Sequence, residues 1–414
     1  MKKIAVRCAL VSLLLGVLLV CGCRDGGAGR MQEYLKRNSA VVPSAPDGNF
    51  EIPAAILDDV VGKYRVIMTG EAHGVAVNYR LRLAFLSYLK QAVKIKYLLL
   101  EMGPSQAGTL NRYLETGDTT LLDEMYSHLE GTYEWTQESY AFWQSVHAFN
   151  CALAPQERLT CVGIDIEHQA GYALRYLKTL LPSNTPAEPI GSQIDLIRGF
   201  SPNDMAYFQV ATKLSAGIEA NTHDYERYLG ERFFEFRLIV ESMLAARDAY
   251  RARQSGGGRV AFQQLRDRAM YANFVQLYGR LPPGTYWGHF GHAHVFHKST
   301  GNIEWLGAHL ESDSSPVAGR VLSIVFAYED CMAMTRAGSG YGTSGAASVR
   351  PGLFDFCEGL DPVLFRLVGE GSPAYGAQLV TYVGSGGSAE YFDYLLLIRG
   401  ATPTRPLHVS DKYN

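Results

Sequence analysis

Residues 64–69 read YRVIMT, and residues 70–74, GEAHG, follow them directly. The first piece is a short apolar run closed by a glycine, which suits a buried strand. The second sets a carboxylate, Glu71, and an imidazole, His73, at the end of that strand. The same arrangement recurs outward along the chain. Residues 75–94 carry Leu81, Leu83, Phe85, Leu86 and Leu89 at helical spacing. Tyr97–Leu100, YLLL, is a second strand-like run, with Glu101 behind it. Residues 105–115 read as a helix closed by Gly117, and residues 138–153 as another. Residues 159–164, LTCVGI, form a third run, followed by Asp165, Glu167 and His168 and then by a helical pattern over 169–181. Strands alternating with helices predict an α/β fold, a central and mostly parallel sheet with flanking helices.

The pattern breaks at residues 182–202. From 203 to 281 the chain is helix-like throughout, with 225–253 the longest piece and SGGG at 255–258 a turn. This stretch is expected to be a helical insertion that caps the site. Sheet-like runs return at 284–289 (GTYWGH), 320–326 (RVLSIVF) and 394–398 (YLLLI). The Gly- and Ser-rich stretch 337–347 is expected to be a surface loop. The domain therefore spans 51–408, with 409–414 a tail.

The chain has 414 residues, 47% hydrophobic and 19% charged, enough for a full core. The formal charge of −3 gives no nucleic-acid surface, so a small-molecule substrate is the expected partner. The N-terminus is basic, with Lys2, Lys3 and Arg7, and then apolar through Leu13, Leu14, Leu15, Leu18 and Leu19. Residues 1–22 are expected to be a signal peptide, too short to be a membrane span. They end in LVCGC, which resembles a bacterial lipobox and makes Cys23 the lipid (palmitate) acceptor. Residues 23–50, rich in Gly, Ser, Pro and Asn, are then a flexible tether. Arg24 follows Cys23 where an Asp would signal inner-membrane retention. The expected location is thus the cell envelope, as an outer-membrane lipoprotein facing the periplasm. Cys151, Cys161, Cys331 and Cys357 remain for the folded part, as disulfides or free thiols.

Ligands of open parallel sheets bind outside the carboxyl ends of the strands. Four polar clusters are expected there: Glu71 with His73; Glu101; Asp165 with Glu167 and His168; and His289 with His292 and His294, after GTYWG. A neutral imidazole takes a proton from water near pH 7, and a carboxylate beside it orients the ring. A second His or an Arg stabilises the oxyanion. The chain has no GxSxG, so activated water rather than a serine is the expected nucleophile.

The same residues resemble the erythromycin esterase-like family. GEAHG at 70–74 is similar to that family's opening motif. The likeness continues through Glu101 in LLLEMG, NRYLETG at 111–117, Trp135 with Glu138, Asn150, and Gly163-Ile164-Asp165. It extends to WGHFGH at 287–292, Phe392-Asp393-Tyr394 and Arg405-Pro406-Leu407, in order over most of 60–408. The resemblance implies metal-independent hydrolysis of an ester or lactone. His73 is then the base, with Glu71, Glu101, Arg82 and His289 catalytic, and Asp165, His292 and Trp287 substrate-binding. Arg80 competes with Arg82 for the arginine's place. Glu71 and His73 stand two residues apart where the family has three, Val77 replaces an acidic residue, and Phe290 replaces an Asn. The shorter spacing resembles a related branch, the haem-binding ChaN-like lipoproteins and the metal-dependent TraB/Tiki-type proteases with GxxH motifs. That branch implies a divalent metal on His73, Glu101 and His294, or a haem, in place of a site without cofactor.

Overall fold

Runs such as VIMTGE and YLLL are apolar on both sides of the strand, so they are stable only inside a sheet covered on both faces. The computed structural model describes residues 29–46, 48–186, 188–201, 206–335, 340–343, 349, 352–353, 359, 361–380 and 384–408. Its strands are β1 (Ser39–Val41), β2 (Val66–Glu71), β3 (Tyr97–Leu100), β4 (Thr160–Gly163), β5 (Tyr286–Gly291), β6 (Val321–Glu329), β7 (Met332–Met334), β8 (Tyr341–Thr343), β9 (Val363–Arg366) and β10 (Tyr394–Arg399). Eight strands form one sheet, in the order β1-β9-β10-β6-β2-β5-β3-β4. From β10 to β4 all neighbours are parallel, while β9 is antiparallel to both β10 and β1. The fold is therefore α/β with a central, mostly parallel sheet, as the alternation implied.

Alternate residues of each strand enter opposite cores. Ile67, Leu98, Trp287 and Leu322 face one side; Val66, Met68, Leu99 and Tyr286 face the other. The register sets the site. β5 lies between β2 and β3, pairing His289 with Thr69 on one side and with Leu100 on the other, and Gly291 with Glu71. His289 is thus inside β5 and not in the loop after it. At the β4 edge, Asn111 accepts from the Cys161 N–H at 2.7 Å and donates to the Cys161 carbonyl at 2.9 Å. One side chain so covers an edge that would otherwise expose unpaired backbone groups.

Between β4 and β5 the described residues hold helices and no strand. The expected single helix over 225–253 is two, Thr222–Leu229 and Phe233–Ala252, because Gly230 has φ +58° and breaks the run. Ser255 and Gly256 leave helical geometry, and the chain reverses there into the helix Gly258–Arg280.

Several expectations need correction or lie elsewhere. The tether over 23–50 does not extend past residue 28. Residues 29–37 are helical, Tyr34 and Leu35 are buried, and β1 adds to the sheet beside β9. Tyr34, Leu35, Val42 and Phe50 are buried there, but they are scattered through a Gly-, Ser-, Pro- and Asn-rich stretch with no periodic pattern. Residues 340–343 of the expected 337–347 loop include β8, paired with β7; the remainder lies outside the described residues. The signal peptide, Cys23, Cys357 and the 409–414 tail also lie outside them. Cys151, Cys161 and Cys331 are free thiols. Among the described residues no helix is long and apolar enough to cross a membrane.

Candidate active site

The carboxyl ends of β2, β3 and β5 meet around one histidine. His73 Nδ1 stands 2.7 Å from Glu71 Oε1. Asn78, from the first turn of the helix Val77–Val93, donates to the other Glu71 oxygen and to the Ala72 carbonyl. Tyr328 on β6 holds Asn78 in turn, donating to its Oδ1 at 2.9 Å. The far side of the His73 ring faces Gly291. A Cβ built there would lie 3.1 Å from His73 Nε2 and 3.6 Å from Glu101 Oε2. The glycine therefore leaves a hollow between an imidazole nitrogen and a carboxylate oxygen. Tyr133 stacks on the His73 ring, centroids 5.2 Å apart.

Two cavities meet at this point. An outer one of about 460 Å³ and an inner one of about 120 Å³ share Glu71, His73, Glu101 and Tyr133 as lining. The inner cavity is also lined by Arg82 and His289. Arg82 is buried and the His289 side chain is 5% exposed. Arg82 Nε and His289 Nε2 have no hydrogen-bond partner among the described residues, His289 Nε2 standing 3.9 Å from Glu71 Oε2. The Arg82 guanidinium lies over the Phe142 ring, 4.1 Å from its centroid. His289 Nδ1 is 2.7 Å from the Thr69 hydroxyl, which is 3.3 Å from the Gly288 carbonyl. The hydroxyl has one proton: given to the Gly288 carbonyl it makes Nδ1–H the donor to Thr69, and given to Nδ1 it puts the ring proton on Nε2, 3.9 Å from Glu71 Oε2.

The charges are ordered. Burial alone would raise the Glu71 carboxyl, but the neighbouring imidazoles of His289 and His73 hold it down, at about 2. Burial opposes the His73 imidazolium, yet Glu71 outweighs it and raises the ring to about 9. Burial, with Arg82 nearby, drives His289 down to about 4 against the pull of Glu71, so it is neutral near pH 7. Burial likewise takes His292, which lines the outer cavity, down to about 4.

A second network holds Glu101. Arg266, from the helix Gly258–Arg280, contacts Glu101 Oε1 at 2.7 Å and Asp165 Oδ2 at 2.5 Å. Glu101 Oε2 accepts from the Gly291 N–H at 2.6 Å. His294 lies 3.3 Å from Glu101 and 2.6 Å from Asp267. Burial opposes its charge, but Asp267 and Glu101 raise it to about 10. Burial also works against ionised Glu101 and Asp165, but His294 and Arg266 pull Glu101, and Arg266 and His168 pull Asp165, well below the ordinary carboxylate range.

The structure brings Glu71, His73, Glu101, His292, Arg82 and His289 together and separates others. Trp287 lines neither cavity, because its place on β5 turns it into the core with Ile67. Asp165 also lines neither; it is fully buried behind Arg266 and fixes that side chain. Arg80 lies elsewhere, over Phe50. The metal set His73, Glu101 and His294 is not assembled. Among the described residues no group of three such ligands is spaced for a metal, and the Arg266 guanidinium occupies Glu101 Oε1 and contacts His294 Nε2 at 3.2 Å. Sequence reading missed Arg266, Asp267, Thr69, Asn78, Tyr328 and Tyr133. For Arg266 the one available signal was a charge at helical spacing inside the insertion.

Gly291→Ala tests the hollow. The added methyl crowds His73 Nε2 without straining the backbone. Turnover of any substrate held there should fall at least tenfold while the denaturation midpoint hardly moves. Unchanged turnover would place the reacting atoms elsewhere.

No family model matches the chain, and no curated protein matches it. Solved structures do. A protein from Bacillus cereus aligns with a TM-score of 0.67 at 17% identity, over 92% of this chain and 99% of its own. The erythromycin esterase EreC, as a mutant in its open conformation, gives 0.68 at 15% identity, over 90% and 100%. A succinoglycan biosynthesis protein gives 0.65 at 13%, over 92% and 98%. A haem-binding ChaN from Campylobacter jejuni reaches only 0.31, too low to argue from. At such identities the likeness speaks for architecture alone: this chain has an erythromycin esterase-like fold.

Proposed function

We propose that this protein is a hydrolase that uses water, activated at His73, against an ester or lactone carbonyl. The observation that carries the reading is the Glu71–His73 pair, 2.7 Å apart, at the junction of two cavities on the carboxyl edge of the sheet. Glu71 holds Nδ1 and leaves Nε2 facing the hollow at Gly291, where a water fits beside Glu101. His73 takes a proton from that water as its oxygen attacks the carbonyl carbon. The resulting oxyanion is met from the inner cavity by Arg82, whose Nε has no hydrogen-bond partner among the described residues, with the His289 ring beside it. The His73 imidazolium then returns its proton to the departing alkoxide, leaving an acid and an alcohol. No metal or haem enters this scheme.

We also propose that Cys23 carries lipid and that the protein sits at the outer membrane facing the periplasm. Residues 24–28 alone would separate the lipid from the first described residue. At ~3.5 Å per residue they reach about 20 Å, so the domain would ride close to the bilayer.

The test is a pH profile on a neutral p-nitrophenyl ester. His73 acts as a base only when deprotonated, and its raised pKa of about 9 leaves about 1% in that form at pH 7. kcat/KM should therefore rise about tenfold per pH unit from 6 to 8 and level off near 9. A profile already level near 6.5, or one falling with pH, would exclude this base.

A further inference from the structure

The helix Gly258–Arg280 presents Arg259, Gln263 and Arg266 to the outer cavity. They are spaced i, i+4 and i+7, one face of a helix. Arg266 is held by Glu101 and Asp165. The other two are not held. Arg259 is exposed and makes no hydrogen bond or ion pair among the described residues. Gln263 Oε1 is buried without a partner.

The charges around them give this meaning. Glu71 and Glu101 are the carboxylates in the lining, and both are compensated. Glu71 has His73 and Asn78; Glu101 has Arg266, His294 and the Gly291 N–H. His292 is neutral near pH 7. Among the described lining residues, Arg259 is therefore a cation with nothing to balance it, next to an amide whose oxygen lacks a donor.

We propose that the outer cavity selects esters or lactones that carry a carboxylate, with Arg259 binding the carboxylate and Gln263 accepting from a donor beside it. The proposal rests on the hydrolase reading for the bond that is cleaved. The spacing of the two charges comes from the helix. Seven residues at 1.5 Å rise put Arg259 about 10 Å along the axis from Arg266, beside the reacting centre. A diacid of about eight carbons, with about six methylenes between carbonyl and carboxylate, comes near that length.

Two esters of equal length test this on the full chain: the mono-p-nitrophenyl ester of suberic acid and p-nitrophenyl octanoate. Wild type should prefer the suberate. Arg259→Ala should lower kcat/KM for the suberate at least ~10-fold more than for the octanoate, a difference of about 1.4 kcal/mol. Arg259→Lys should restore part of it. Arg259→Glu should turn the preference toward the ester of 8-aminooctanoic acid, which a merely structural arginine would not do. Equal losses on both esters, or none, overturn the proposal. Titration calorimetry with suberate separates the two readings. Arg259-dependent binding without ester cleavage would keep the carboxylate site and end the hydrolase reading. Absence of suberate binding to wild type would end the carboxylate site.

Discussion

His73→Ala lowers kcat/KM for a hydrolysed ester by ~10²–10⁴-fold, the usual contribution of a general base. The fold should tolerate the loss. The His73 side chain is 36% exposed, and Glu71 keeps its hydrogen bond from Asn78 when the imidazole is gone. Circular dichroism should therefore show an unchanged spectrum and a Tm within a few degrees of wild type. Glu71→Gln gives a different signature. Removing the carboxylate removes what lifts the ring to about 9, so the rising limb of the pH profile should move toward the ordinary histidine value near ~6.5. The limiting rate should fall as well, because the ring loses its orientation. Undiminished hydrolysis by His73→Ala ends the assignment of the base.

Much of this was legible in the sequence, and the remainder was not for physical reasons. The central strands are short apolar runs bounded by glycine or charge, and burial on both faces requires that pattern. Each was legible with its following polar residue, which is why Glu71, His73 and Glu101 were found. β1 and β9 lie toward one edge, pair antiparallel and are only three and four residues long, too short to show a pattern. Arg266 is harder still. It is one charge on a helix with many, and only tertiary contact separates it from the solvated Arg259 seven residues earlier. Trp287 shows the opposite error. A motif places it near His289, and strand alternation does put both on one face of the sheet, but Trp287 lies two residues further from the carboxyl edge, level with Ile67 rather than Thr69. Here Trp287 Nε1 is buried in the core while His289 lines the inner cavity.

Arg266→Met should cost ~3–5 kcal/mol of stability at pH 7, because it strands buried carboxylates rather than removing a surface pair. Asp165 is fully buried and Glu101 nearly so, and Arg266 is the guanidinium that joins them. The pH dependence fixes the cause. In wild type both carboxyls sit well below their ordinary range, so their contribution is complete above about pH 4 and is lost as pH falls through the depressed native values. In the variant Asp165 keeps His168 at 3.3 Å and the Ile166 N–H but loses Arg266, the largest of its counterweights, so burial raises that carboxyl from its wild-type value. The deficit against wild type should then shrink as pH drops from 7 toward 4, because the stranded acid takes up a proton. Asp165→Asn added to Arg266→Met should recover part of the loss at pH 7 by replacing that charge with an amide. Hydrolysis need not recover with it, since Glu101 keeps the Gly291 N–H and His294 but loses the contact that fixes its other oxygen against the helical insertion. Denaturant unfolding of the two variants at three pH values decides this. A variant as stable as wild type at pH 7, or a deficit constant with pH, would mean that Arg266 packs the insertion without holding the charges beneath the site.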